Sequence, residues 1–90
     1  MLKIQDFKHC SEEWTMCWCH YKRDDRDFEA VLSFRFDPLK DDAWYQIAVG
    51  ECLEDNYKEI EVVRFNRLKE AITHWNNYFG EDEYVLHFSE

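Results

Sequence analysis

Phe28-Glu29-Ala30-Val31-Leu32-Ser33-Phe34-Arg35-Phe36 is the stretch on which the fold turns. Phe28, Ala30, Leu32, Phe34 and Phe36 alternate with Glu29, Val31, Ser33 and Arg35. A period of two places the first set on one face of a strand, packed on a core. Upstream, Thr15 to Lys22 is rich in Thr, Trp and Tyr, which favour a pleated, half-buried surface. Arg23-Asp24-Asp25-Arg26-Asp27 then reads as a five-residue hairpin loop between the two strands. Downstream, Asp37 to Asp42 holds the single proline, whose fixed φ suits a turn. Ala43 to Val49 reads as a third strand ending near Gly50. Glu54-Asp55-Asn56 is a turn cluster. Lys58 to Phe65 reads as a fourth strand, with extension of the following helix as the alternative.

The helix has the plainest signature. Leu68, Ala71, Ile72, Trp75 and Phe79 form one apolar stripe at helical spacing. Asn66 is the expected N-cap, accepting from free backbone N–H groups, and Gly80 the residue that closes the helix. The expected helix therefore spans about residues 66–79. Tyr84 to Phe88 reads as a last strand. The first thirteen residues permit either a short helix or a strand. A lone amphipathic helix must bury its stripe. The expected fold is an α+β domain: an antiparallel sheet of four to five strands with the helix across one face. Trp75 and Phe34 are both expected to be largely buried.

Ninety residues make one domain, 1–90, since a chain this short rarely divides. Hydrophobic residues are 46% and aromatics 18%, with two glycines and one proline, which excludes a disordered or collagen-like chain. No uncharged apolar run approaches the ~20 residues of a membrane span. The start of the chain has no apolar segment of the secretory kind, and no lipidation motif is present. These features point to the cytoplasm, with reduced cysteines. The net charge of −9 argues against direct binding of nucleic acid, which demands a basic surface.

Motifs for chemistry are sparse. No serine lies in a nucleophile elbow, and no glycine-rich loop can cradle phosphate. An enzyme is therefore not expected, and no cofactor. His9-Cys10 and Cys17-x-Cys19-His20 supply the residue types of a zinc site, making a small zinc- or thiol-dependent module one alternative. One residue between the cysteines is too few for a knuckle turn, and on a strand His20 faces away from both thiols. No metal ligand set is assigned, and the protein is expected to lack stoichiometric zinc and to stay folded in chelator. Calcium is disfavoured because Asp24 to Asp27 is too short a loop and has no glycine.

The acidic charge is segregated. Residues 24–61 carry 12 acids against 4 bases, and residues 81–90 carry 4 acids with no Lys or Arg. Solubility alone accounts for much of this, since a small domain uses a net charge of about 2–8 in magnitude. A focused negative field also steers a protein onto a basic partner. The expected partner is a basic protein or ribonucleoprotein complex. The expected binding residues are Asp24, Asp25 and Asp27 first, then Asp41, Asp42, Glu54 and Asp55. Small size, acidity and abundant Trp and Tyr suit an inhibitor whose carboxylates stand in for phosphates. Phage counter-defence proteins of the anti-CRISPR or anti-restriction type have this profile, as do immunity proteins that neutralise nuclease toxins. The exposed aromatics also leave room for a homodimer.

Overall fold

The computed structural model describes residues 1–7, 14–80 and 84–89. A 3-10 turn (Ile4–Phe7) precedes strands β1 (Thr15–Arg23), β2 (Arg26–Asp37), β3 (Asp42–Leu53) and β4 (Asn56–Phe65). Helix α1 (Leu68–Phe79) and strand β5 (Val85–Phe88) follow. All neighbouring strands are antiparallel, in the order β4-β3-β2-β1-β5. This is the expected α+β architecture, a five-stranded sheet with one helix across it. No helix among the described residues is long and apolar enough to cross a membrane.

The expected five-residue hairpin loop is instead a two-residue turn. Arg23 pairs with Arg26 across Asp24 and Asp25. Both aspartates have positive φ, at 53° and 61°. Two positive φ values make the turn whose twist matches the flanking strands, and Asp tolerates them better than most residues. The consequence is a change of register. A loop of five would set His20 opposite Ala30, whereas the short turn sets His20 opposite Glu29 and Cys19 opposite Ala30. A one-residue slip exchanges the faces of a whole strand. The observed register therefore places Cys17, Cys19 and Tyr21 on the same face as Phe28, Ala30 and Leu32.

That face carries the core. Cys17, Cys19, Ala30, Leu32 and Trp75 are fully buried, with Ile47, Val49, Ala71, Ile72 and Phe79 beside them. The helix runs diagonally. His74 lies on Phe65 of β4 at 5.2 Å between ring centroids, and Phe79 lies edge-on to Tyr21 of β1 at 5.0 Å. Trp75, as expected, sits at the centre. Its indole N–H donates to the Tyr84 hydroxyl at 2.9 Å.

Phe34 is not buried as expected: it is 38% exposed, and Phe36 is 42% exposed. Twelve helical residues reach about 18 Å, while the twelve of β2 reach about 40 Å. The diagonal helix leaves the corner of the sheet near the β2–β3 turn uncovered. Phe34 packs there on Tyr45 of β3, at 5.4 Å.

Two further boundaries differ. The helix starts at Leu68 after Arg67, not at an Asn66 cap, and no side chain caps it. At its end Gly80 takes φ 57° as expected, and its N–H donates to the Asn76 carbonyl at 2.8 Å. Strand β3 does not stop at Gly50 but continues to Leu53. The register shifts opposite Gly50, and the Tyr57 ring from β4 fills the space where a side chain would stand. A bulge with an aromatic cover lets glycine remain inside a strand. The N-terminal segment is a 3-10 turn held by Asn76. The Leu2 N–H donates to Asn76 Oδ1 at 2.8 Å, and Asn76 Nδ2 donates to the Leu2 carbonyl at 2.9 Å.

Candidate functional site

Because β1 to β4 form a meander, the β1–β2 and β3–β4 turns lie at one end of the sheet and the β2–β3 turn at the other. Phe28 pairs with Glu51, so Arg26 lies level with Leu53. The tips Asp24-Asp25 and Glu54-Asp55 are therefore flush. They stand about 10 Å apart, two strand spacings across the sheet. All four residues are exposed. The ion pairs His20–Glu29, Lys22–Asp27 and Arg26–Glu51 involve none of these four carboxylates, although Asp24 acts electrostatically on Arg26.

Three basic residues at this end make contacts of their own, while Lys58, exposed on β4 opposite Glu51, acts on Glu51 only electrostatically. Arg26 forms a two-pronged pair with Glu51, at 2.6 and 2.7 Å, and lies over the Phe28 ring. That guanidinium holds the Glu51 carboxyl below the usual glutamate range. Arg23 donates to the Tyr78 carbonyl at 3.0 Å and stacks on the Tyr78 ring. Lys22 stands 3.7 Å from Asp27.

The seven sequence-selected carboxylates thus fall into three places. Asp24, Asp25, Glu54 and Asp55 share one end. Asp27 lies within β2 rather than in a loop, beside Lys22. Asp41 and Asp42 lie at the opposite end, at the β2–β3 turn, where Asp41 has φ 49°. His9-Cys10 and the first three residues of the acidic stretch 81–90 lie outside the described residues.

The sheet face away from the helix carries a second set that sequence spacing does not show. Glu29 pairs with His20 on β1 and with Gly50 on β3, and Cys52 is two residues further along β3 on the same face. His20 Nε2 lies 3.0 Å from Glu29 Oε2. One donor atom each from His20, Glu29 and Cys52 lie within 4.8 Å of one another. Burial pushes the Cys52 thiol up, and the nearby carboxylates Glu29 and Asp27 push it further. Cys17 and Cys19 lie on the opposite face of the sheet and point into the core, so they are not part of this set. Burial pushes the Cys19 thiol up to about 12. The signal that could have found the set is the turn. Reading Asp24-Asp25 as a two-residue turn puts His20 against Glu29 directly.

The same open face presents Trp18 stacked on His87 at 5.5 Å, and the Arg64 guanidinium lies over Trp44 at 4.4 Å. Comparison of the chain with protein-family models, curated proteins and solved structures finds no match.

Proposed function

We propose that the protein is a small acidic inhibitor that docks on a basic, nucleic-acid-handling protein or ribonucleoprotein and blocks it. The observation that carries this reading is the flush pair of turns bearing Asp24, Asp25, Glu54 and Asp55 at one end of the sheet. Four exposed carboxylates on two tight, level turns form an acidic ridge, and Arg23 and Arg26 nearby are held by Tyr78 and Glu51. Preorganised charge of this kind speeds encounter and fixes orientation on an oppositely charged partner. A carboxylate that becomes desolvated against a cation contributes about 1.5–7 kcal/mol of coupling, and a rim charge far less. Counter-defence against a host nucleic-acid-processing complex is the biological setting that fits this chemistry best.

The test is capture of partners from a bacterial lysate on the immobilised protein, with DNA and RNA as competitors. Asparagine keeps the positive φ of the tight turn, so Asp24→Asn/Asp25→Asn and Glu54→Gln/Asp55→Asn remove charge without removing shape. Each pair is expected to weaken capture of a basic, nucleic-acid-competed partner. Asp41→Asn/Asp42→Asn, at the far end, is expected to leave it unchanged. Capture that persists after both turns are neutralised, or in 1 M salt where screening reaches about 3 Å, overturns the reading.

A further inference from the structure

We infer that His20, Glu29 and Cys52 form a binding site for a single divalent ion of the zinc class on the open face of the sheet. The site goes beyond the docking reading and shares no residue with the acidic ridge.

The donor set is the first argument. Imidazole, carboxylate and thiolate are the three ligand types zinc takes, and three protein ligands with one open position is a recurrent zinc arrangement. Placement is the second. The donors come from three adjacent strands, β1, β2 and β3, fixed by cross-strand pairing and not by a loop. Distance is the third. Zinc bonded at about 2.0–2.3 Å holds its donors about 3.3–3.8 Å apart in a tetrahedron. The observed separations, 3.0 Å for His20 to Glu29 and within 4.8 Å for the whole set, bracket that range. The His20 side chain is 64% exposed, so it is free to rotate into place and the ion has access from solvent.

The surroundings favour a cation. Glu29 and Asp27 both act electrostatically on Cys52, and the neighbouring base Lys22 lies 3.7 Å from Asp27. The Tyr57 ring from β4 covers the bare Gly50 backbone opposite Glu29, walling one side of the set. On binding, the Cys52 thiol gives its proton to solvent and the ion takes the thiolate, His20 Nε2 and a Glu29 oxygen. The sequence-based expectation of no zinc rested on Cys17-x-Cys19 spacing, which involves none of these partners except His20.

The test is titration of cobalt(II) into the reduced, metal-free full chain, read by the thiolate-to-cobalt charge-transfer band. One equivalent is expected to develop the band and zinc to bleach it. Cys52→Ser and Cys52→Ala are expected to abolish it, and His20→Ala and Glu29→Gln each to weaken cobalt binding at least tenfold. Far-ultraviolet circular dichroism checks each variant, and the wild type is expected to keep its fold in chelator because the core lies on the other face. Absence of the band at one equivalent overturns the site. So does a band that survives in the folded Cys52 variants, or cobalt affinity within twofold of wild type in both the His20 and Glu29 variants.

Discussion

Trp75→Ala is the substitution that tests the fold most directly. Trp75 is fully buried, with its ring centroid 4.9 Å from Phe79 and 6.3 Å from Tyr84. Truncation removes about 140 Å³ of side chain, and residual cavity costs about 24 cal/mol per Å³, or about 3.4 kcal/mol if nothing collapses. Lost transfer energy adds to this, and inward relaxation of Phe79 and Tyr84 subtracts from it. The indole hydrogen bond to Tyr84 also goes, and since Tyr84 is half-buried its hydroxyl can be re-solvated. The expected net loss is about 3–5 kcal/mol. A domain of this size has about 5–10 kcal/mol in all, so most of its stability disappears. With an m-value of about 1–1.5 kcal/mol/M, the urea midpoint falls by about 3 M. Unfolding should be followed by far-ultraviolet circular dichroism, since the substitution removes one of the four tryptophan fluorophores. Trp75→Phe, which keeps a ring in the site, should lose only about 1–2 kcal/mol. A Trp75→Ala protein within 1 kcal/mol of wild type would refute the docking of α1 through this face.

Asn76→Ala removes both hydrogen bonds that hold Leu2 to the helix, and should cost about 1–2 kcal/mol in urea unfolding and release the N-terminal turn to proteolysis. Glu51 is held below its ordinary pKa of 4.5 by Arg26, so its contribution is complete above that value and is lost as pH falls through the lower folded value. Acid titration of stability should therefore be steeper below pH 4.5 in wild type than in Glu51→Gln, and identical slopes would remove the pair from the account. The Cys19 thiol, buried and pushed up to about 12, should resist iodoacetamide at neutral pH until the protein unfolds, while Cys52, partly exposed but also pushed up by burial, Glu29 and Asp27, is labelled in the native state more slowly than a free thiol. Mass mapping of alkylated peptides distinguishes the two, and native labelling of Cys19 contradicts its placement.

Local pattern was enough to read the elements of this chain, and physical chemistry explains why. A stripe from Leu68 to Phe79 at helical spacing and an alternation from Phe28 to Phe36 are properties of a single segment, and each dictates its own element type. The need to bury the stripe then implies a helix on a sheet. The tertiary structure alone decided how the segments meet. Whether Asp24-Asp25 turns in two residues or five depends on which face of β1 the core accepts, and Cys19 and Tyr21 won over His20 because they bury without leaving an unpartnered polar ring. How far the helix reaches is equally non-local, and it left Phe34 and Phe36 at an uncovered corner despite their pattern. The two acidic turns are legible as turns, but their level tips follow from pairing β2 with β3. His20, Glu29 and Cys52 are 9 and 23 residues apart in sequence, and only strand register makes them neighbours. Register is a cooperative property of the whole sheet, so no single stretch of sequence contains it.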